Sequence, residues 1–157
     1  MSTQEELIHH FYTSFQRKDV QAMQDCYADN ASFSDPVFTN LNTLEVRSMW
    51  AMLLKNGKDM RLEFKNISTD ETGTHAEWDA WYTFSATGNR VHNHICASFI
   101  IENGKIIKHT DHFSFYKWAK QALGFTGLLL GWTSFIKNKI RAKARKNLEA
   151  FMARGAN

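Results

Sequence analysis

An Asp-His pair that could carry acid–base chemistry stands inside a hydrophobic run, IIKHTDHFSF at residues 106–115. Because successive side chains of an extended strand alternate between its two faces, His109, Asp111, Phe113 and Phe115 are predicted to share one face. A carboxylate then lies among aromatic side chains. Burial in such surroundings raises the pKa of a carboxyl group toward neutrality, where the group can both accept and return a proton.

A second carboxylate, Asp35, precedes Pro36 in the segment SFSDPVF. The proline ends the short strand that holds Phe33, because it cannot continue a hydrogen-bonded ladder. If Asp35 lies across the interior from Asp111, the two negative charges repel and their pKa values separate. His109 is two residues from Asp111 on the same face and is the expected hydrogen-bond partner of this carboxylate, which would otherwise be buried unpaired.

Helices and strands must position these side chains, and the sequence predicts three helices followed by strands. The helices are predicted from a capping box at Ser2 or Thr3 to Lys18, from Asp19 onward with Tyr27 on the inner side, and from Asn42 or Thr43 to Gly57. From residue 60 onward the hydrophobic period changes from 3.6 to 2, and the segments TGN and ENGK mark turns. Three helices and then an antiparallel sheet indicate an α+β fold.

The chain of 157 residues suits one domain, and its hydrophobic content of 43% suffices for a core. We predict a pocket domain at residues 1–118. A C-terminal helical extension is predicted at residues 119–157, either as part of the same domain or as a dimer interface. Four apolar side chains form a stripe along an otherwise basic helix in this extension: Ile136, Ile140, Leu148 and Phe151.

The order of elements resembles a known superfamily. Two helices, YADNASFSDPVF, a third helix and long strands with ENGKI and a late TDHF resemble the SnoaL-like families of the nuclear-transport-factor-2-like superfamily, over about residues 5–118. The resemblance implies a cone-shaped, cystatin-like α+β barrel, in which a curved antiparallel sheet wraps around helices and a deep apolar pocket. It also implies a homodimer through the outer sheet face. Because this fold hosts isomerases, cyclases, hydrolases and non-catalytic domains, the resemblance is specific for fold and loose for function.

Two enzyme sites of this superfamily are matched only in part. Delta-5-3-ketosteroid isomerases use an Asp in a similar DPV motif as the general base, and Asp35 matches it. The Tyr and the protonated Asp that stabilise the enolate in those enzymes correspond here to Phe11 and Ala97, which cannot donate a hydrogen bond. Limonene-epoxide hydrolases match at Asp111, but the other positions of their water site correspond to Trp78, Ala80, Phe33 and Asp35. Neither mechanism is therefore predicted.

The likeness that remains is to polyketide cyclases of the SnoaL type, in which a single Asp is proposed as acid–base catalyst, and Asp111 matches it. The predicted catalytic residues are Asp111, Asp35 and His109, with Tyr82 or His109 as the donor to a developing oxyanion. The predicted ligand-binding residues lie on the inner faces of strands and on the helical side: Phe11, Phe15, Phe33, Trp50, Trp78, Tyr82, Asn93, Ala97 and Phe113.

These residues support one leading hypothesis and two alternatives. The first is a binder of a hydrophobic cyclic or isoprenoid-like small molecule, with Asp-mediated isomerase or cyclase chemistry that requires no cofactor. The second is a non-catalytic ligand-binding or assembly module with the same pocket. The third is a membrane-peripheral protein that takes a lipid-like ligand from the bilayer. The residues leave it open whether the protein is an enzyme.

The C-terminal segment is basic, with seven Lys or Arg residues against one Glu at residues 137–154. Packing of its apolar stripe on the domain or on a second subunit is favoured; weak membrane-surface contact through residues 122–146 and a lid formed by GFTGLLLGW are the alternatives. Nucleic-acid binding is not predicted, because no base-reading set accompanies the charge. Two isolated cysteines and an N-terminus without a secretory signal predict a soluble cytoplasmic protein.

Three histidines, His92, His94 and His112, are predicted on the outer strand faces together with Glu77 and Asp79. Imidazole and carboxylate groups are metal ligands, but no recognised spacing relates these residues. The sequence therefore favours a solvated or dimer-interface patch and predicts no metal site.

Overall fold

Six helices and six strands make up residues 1–155, the part of the chain that this computed structural model describes. The helices are α1 (Thr3–Gln16), α2 (Val20–Asp25), α3 (Thr43–Asn56), α4 (Phe115–Leu123), α5 (Phe125–Leu130) and α6 (Ser134–Ala153). The strands are β1 (Tyr27–Ser34), β2 (Leu41–Asn42), β3 (Arg61–Asp70), β4 (Gly73–Phe84), β5 (Asn89–Glu102) and β6 (Lys105–His112). Residues 156 and 157 of the predicted extension lie outside the described residues.

Side-chain hydrogen bonds begin the first three helices where the sequence predicts them. Ser2 and Glu5 form a reciprocal capping box at the start of α1, and Asn42 and Glu45 form another at α3. Asp19 accepts a backbone N–H at the start of α2. Each cap satisfies helix N–H groups that have no intrahelical partner and stabilises its helix by about 1 kcal/mol.

The strands of the described chain form one curved, unclosed sheet in the order β2-β1-β6-β5-β4-β3. From β3 to β6 neighbouring strands are antiparallel, while α1 packs on β3 and β4 and α3 packs on β1. The predicted α+β architecture, with a curved sheet around helices, is confirmed. Two details differ: β1 and β6 run parallel, and Tyr27 belongs to β1 rather than to the second helix.

An aromatic cluster fills the space between the helices and the inner face of the sheet; it comprises Phe11, Phe15, Phe33, Trp50 and Trp78. The ring centroid of Phe15 lies 5.0 Å from that of Trp50 and 5.3 Å from that of Trp78. All five side chains are buried. Because burial of one such side chain stabilises a folded protein by about 1.5–3 kcal/mol, the cluster contributes a large part of the folding free energy.

The last strand ends earlier than the sequence suggested, because Ser114 caps a helix. Its hydroxyl accepts the backbone N–H of Lys117, and α4 begins at Phe115, which was predicted to continue the strand. Phe115 and Trp118 are both buried against β5 and its neighbours. Helix α4 therefore lies across the end of the sheet, close to the predicted pocket.

Helix α6 folds back along α3. Leu148 and Phe151 are buried in the main core, and Arg145 forms an ion pair with Glu45 of α3. Ile136, at the other end of α6, packs with α4 in a second, smaller core. The predicted C-terminal amphipathic helix is confirmed, and its apolar stripe is the side that faces the domain.

Candidate functional site

The predicted Asp-His pair is buried and hydrogen-bonded. Nε2 of His109 lies 2.8 Å from Oδ1 of Asp111, and the side chains are 1% and 3% exposed. Both residues project from the inner face of β6, as their alternation predicts. Ala97 of β5 stands directly opposite Asp111, so no second polar side chain faces it across that strand pair.

Two further residues extend this pair into a buried hydrogen-bond chain. Nδ1 of His109 lies 2.8 Å from the hydroxyl of Tyr27, and Nε1–H of Trp50 donates to the same hydroxyl at 2.9 Å. Because the tyrosine oxygen accepts from Trp50, its own proton satisfies Nδ1 of His109. Nε2 of His109 then carries a proton and donates it to Oδ1 of Asp111.

Burial keeps the tyrosine of this chain protonated. It raises the pKa of Tyr27 well above the ordinary value of 10.0; the hydrogen bond from Trp50 lowers this pKa, and the charge of Asp111 raises it. Aromatic rings also enclose the imidazole of His109, with the ring centroid of Phe99 at 4.2 Å and that of Phe33 at 4.9 Å. The hydrogen-bond chain from Trp50 to Asp111 is therefore buried among aromatic rings.

Asp35 has the most distinctive electrostatics of the site. Its Oδ1 accepts the backbone N–H groups of Val37 at 2.7 Å and Phe38 at 2.6 Å, which closes the turn around Pro36. Burial raises the pKa of Asp35 to about 7, even though these two hydrogen bonds lower it, and the charge of Asp111 raises it further. The two carboxylates therefore interact, as the sequence suggested.

The predicted ligand-binding residues divide into two layers. Deep in the fold, the aromatic cluster of Phe11, Phe15, Phe33, Trp50 and Trp78 is packed ring against ring. The other four line the inner face of the sheet nearer to α4 or beside Asp111: Tyr82, Asn93, Ala97 and Phe113. In this second layer Ala97 stands opposite Asp111, and the charge of Asp35 acts on Tyr82.

Among residues 1–155, two buried side-chain polar atoms lack a hydrogen-bond partner, namely the hydroxyl of Tyr12 and Nε1 of Trp78. The two rings lie 6.0 Å apart. Burial raises the pKa of Tyr12 well above 10.0, and the charges of Asp111 and Tyr27 add to the shift, so this hydroxyl is a neutral donor. Since an unsatisfied buried donor typically costs about 1–3 kcal/mol, these two groups suit a ligand or water that supplies an acceptor.

Helix α4 covers the second layer. Nε1–H of Trp118 donates to the hydroxyl of Tyr82 at 2.7 Å. Burial raises the pKa of Tyr82 to about 12, although the bond from Trp118 lowers it and the charge of Asp35 raises it. The hydroxyl of Tyr82, one of the two predicted oxyanion donors, is therefore already held by the helix above it.

A groove of about 460 Å³ runs between the turn that follows Asp35 and helix α6. It is lined by Val37 and Phe38, whose N–H groups hold Asp35, and by Arg141 and Arg145. Arg141 also donates from Nε to the carbonyl of Pro36 at 2.8 Å. The groove thus reaches the outer side of the same turn that positions the carboxyl group.

Sequence reasoning missed Tyr27, Tyr12 and Trp118. The sequence predicts Tyr27 on the inner side of a helix, whereas it lies in β1, and its pairing with His109 depends on the parallel contact between β1 and β6. Tyr12 follows Phe11 directly, and both side chains are fully buried between the helices and the sheet. Of these three residues, only Tyr12 could have been found from the sequence. It is adjacent to the predicted pocket residue Phe11 and supplies a hydrogen-bond donor that Phe11 lacks.

Comparisons with known proteins agree with this geometry. The sequence model of the SnoaL-like domain matches residues 8–109, whereas no curated protein sequence matches the chain. An NTF2-like protein of unknown function from Burkholderia pseudomallei superimposes with a TM-score of 0.64 at 17% identity, covering 73% of this chain and 92% of that chain.

Two solved structures with functional descriptions are also similar. An LEH-like epoxide hydrolase of M. tuberculosis gives a TM-score of 0.61 at 18% identity, covering 85% of this chain and 95% of that chain. IdmH of Streptomyces antibioticus, a candidate polyketide cyclase, gives a TM-score of 0.62 at 16% identity, covering 74% of this chain and 95% of that chain. At these identities the likeness shows the fold.

Proposed function

The chain belongs to the SnoaL-like domain family, and on this premise we propose that it binds a hydrophobic cyclic or isoprenoid-like small molecule in its interior and moves protons on it through Asp35. The observation that carries the proposal is the carboxyl group of Asp35, whose pKa is raised to about 7 by burial and further by the charge of Asp111. A small-molecule ligand also suits the two unpartnered donors of Tyr12 and Trp78.

A carboxyl group with this pKa is about half ionised at neutral pH, which is the best compromise between availability and strength for a general base. Because Oδ1 of Asp35 already accepts two backbone N–H groups, Oδ2 takes the proton. In the proposed step Oδ2 removes a proton from a carbon next to a carbonyl group. The resulting acid returns the proton to another carbon or to oxygen, which is the step that isomerases and cyclases share.

The negative charge that develops on the carbonyl oxygen needs a donor. We assign this role to the hydroxyl of Tyr12, with Nε1–H of Trp78 as the second donor, since both are buried and unpartnered. Removing one such donor typically costs about 10²–10³ in rate. The sequence favoured Tyr82 or His109. Tyr82 accepts from Trp118 and still has its own O–H to donate, so it is the alternative donor, whereas both ring nitrogens of His109 are engaged by Tyr27 and Asp111.

In this proposal Asp111 and His109 position and tune the site rather than carry the proton. The charge of Asp111, whose side chain is held by His109, raises the pKa of Asp35. The sequence favoured Asp111 as the acid–base catalyst with Asp35 in support. In the proposed mechanism Asp35 is the acid–base catalyst and Asp111 is the supporting carboxylate.

In this proposal the ligand enters when α4, which covers Tyr82 of the second layer, moves together with α5, which packs on it. Gly124 joins them with φ 62° and ψ −128°, a conformation that is essentially restricted to glycine. Gly127 packs so closely on α4 that a Cβ atom there would come within 1.9 Å of the carbonyl oxygen of Ala119. The two helices would therefore move as one lid, with residues near 114 and 131–133 as hinges.

The test of the proposed chemistry is hydrogen exchange on a cyclic ketone. In D₂O, the protein should catalyse the exchange of the α-protons of 2-tetralone for deuterium. Proton NMR measures this exchange as the loss of the α-proton signals. The base is the ionised form of Asp35, so the second-order rate should rise with pH through about 7 and level off above it. If exchange is no faster than in buffer while the ligand shifts the indole signals of Trp78 and Trp118, the protein binds the ketone without catalysis and is a non-catalytic binding module.

A second candidate function, attachment to a membrane surface, has its own observation. Six large apolar side chains in and around α5 are exposed: Phe125, Leu128, Leu129, Leu130, Trp132 and Phe135. The surrounding residues 112–148 contain eight Lys or Arg and no Asp or Glu. An exposed apolar segment beside a basic helix is the pattern of an interfacial membrane contact with anionic lipids. No helix of residues 1–155 has the length and apolar character needed to cross a bilayer.

Sedimentation with vesicles that contain phosphatidylserine tests this attachment. Replacing Phe125, Trp132 and Phe135 together by serine should lower vesicle binding at least tenfold, because each apolar side chain leaves the interface. Raising the salt concentration should weaken the wild-type binding, since the basic residues contribute electrostatically. The matched control replaces two exposed apolar residues elsewhere, Leu44 and Ile100; an equal loss in the control, or no binding by the wild type, would refute the attachment.

A further inference from the structure

The outer face of the sheet carries a cluster of metal-ligating side chains from β4 and β5 that the proposed function does not use. We propose that Glu77, His94 and Cys96 bind a zinc-class divalent ion, and these three residues are called the outer-face triad below. The triad lies on the side of the sheet opposite Asp35 and Asp111, because its members alternate with the inward-facing residues of the same strands. The inference is therefore independent of the proposed acid–base site.

The ligand atoms of the triad already lie close together. One ligand atom from each residue lies within 4.8 Å of the other two. Nε2 of His94 is 3.8 Å from Oε1 of Glu77 and 3.9 Å from Sγ of Cys96. Tetrahedral zinc, with bonds of about 2.0–2.3 Å, holds its ligand atoms roughly 3.3–3.5 Å apart, so small side-chain shifts would close the site around an ion.

The strand register fixes this convergence. Glu77 and Cys96 are directly opposite each other in the β4–β5 ladder, and His94 lies two residues from Cys96 on the same face. Directly opposed residues have Cβ atoms about 4.5–5.5 Å apart, and the diagonal neighbour is within reach of a long side chain. Eleven paired positions hold the two strands in this register, so the backbone of the triad is rigid.

Neighbouring polar groups orient two of the three ligands. Oδ1 of Asp79 lies 3.2 Å from Nδ1 of His94, which places the proton on Nδ1 and leaves the lone pair of Nε2 directed toward Glu77 and Cys96. Nδ2–H of Asn66 donates to Oε2 of Glu77, so that Oε1 remains free to bind an ion. A carboxylate behind the metal-binding histidine is the usual second layer of a zinc site.

The ligand types select the ion. A thiolate with an imidazole and a carboxylate favours Zn²⁺ and similar transition metals over Mg²⁺ or Ca²⁺, which require oxygen ligands. In the single chain the side chains of His94 and Glu77 are 48% and 32% exposed, so a ligand from outside the triad can reach the fourth coordination position. We therefore expect a site with three protein ligands and one exchangeable position, which is the arrangement of zinc ions that bind or activate small ligands.

Cobalt binding tests the triad, because tetrahedral Co²⁺ replaces Zn²⁺ and is coloured. Tag-free protein, reduced and stripped with a chelator, should bind one Co²⁺ per chain, with intense visible d–d bands and a thiolate-to-cobalt charge-transfer band. Addition of Zn²⁺ should abolish both. Cys96→Ser should remove the charge-transfer band, and Asp79→Asn should weaken binding about 10–100-fold by releasing His94.

Two matched variants serve as controls, since each removes the same residue type away from the triad. Cys26→Ser changes the other free cysteine, which is buried, and His10→Gln changes an exposed histidine of α1; both should leave cobalt binding unchanged. The site is refuted if no saturable Co²⁺ spectrum forms, or if the charge-transfer band survives Cys96→Ser. Because the assay reads bound metal directly, its failure leaves the proposed proton transfer at Asp35 untouched.

Discussion

Replacement of Phe11 by alanine should lower the free energy of unfolding by about 3–5 kcal/mol. Phe11 is 0% exposed, and its ring contacts six other rings at centroid distances of 5.2–6.4 Å: Tyr12, Phe15, Tyr27, Trp50, Phe99 and His109. Helices pack on one side of this ring and the sheet on the other, so the cavity left by the variant cannot close. A domain of this size has about 5–15 kcal/mol of stability in total, which leaves the variant close to unfolding.

Urea unfolding followed by tryptophan fluorescence and circular dichroism measures this effect. The matched control is Phe135→Ala, because that phenylalanine is 70% exposed and its loss should change stability by less than about 0.5 kcal/mol. The comparison also decides what Phe11 does. If Phe11 lined an open ligand chamber, as the sequence suggested, its truncation would leave no new cavity and would cost clearly less than 3 kcal/mol.

The predictable parts of the fold are those set by neighbours in sequence. The capping boxes at Ser2 and Asn42 need only a residue and its partner three positions later. The alternation through His109 and Asp111 needs only the period of a strand, and it placed both side chains correctly inside. Those local rules were sufficient for the α+β class and for the pairing of His109 with Asp111.

The parts that could not be predicted depend on contacts between distant segments. Tyr27 meets His109 across 82 residues, through a parallel strand pair that leaves no local signal. Trp118 reaches Tyr82 only because Ser114 turns the chain into α4 and folds it over the sheet. The hydrogen-bond chain from Trp50 to Asp111 and the position of α4 over Tyr82 therefore follow only from the three-dimensional structure.

The outer-face triad also depends on a contact between separate segments, which the sequence does not reveal. Metal motifs are recognised in a sequence when their ligands are closely spaced along one segment. Here Glu77 comes from β4, while His94 and Cys96 come from β5, and the strand register joins them. The sequence placed His94 and Glu77 on the outer face but predicted no metal site there, because without the register it could not bring the three ligand atoms together.

Replacement of Asp35 by asparagine should lower the rate of α-proton exchange by about 10²–10⁴-fold, the usual contribution of a general base. The asparagine Oδ1 can still accept the N–H groups of Val37 and Phe38, so the turn around Pro36 is retained. Binding of 2-tetralone should change little, because the amide has the size of the carboxyl group it replaces. The measurement is single-turnover exchange in D₂O at pH 8, with binding followed separately by chemical shifts.

Stability separates this catalytic role from a structural one. The folded pKa of Asp35, about 7, exceeds the ordinary value of 3.8, so the folded protein holds a proton that the unfolded chain releases between these two pH values. Stability therefore falls as pH rises from about 4 to 7, and at pH 8 the ionised carboxyl destabilises the fold by about 2–4 kcal/mol. Asp35→Asn cannot ionise; it should be more stable than the wild type at pH 8 and equal to it near pH 3. A variant that loses exchange and also loses stability at pH 8 would show that Asp35 serves the turn and not proton transfer.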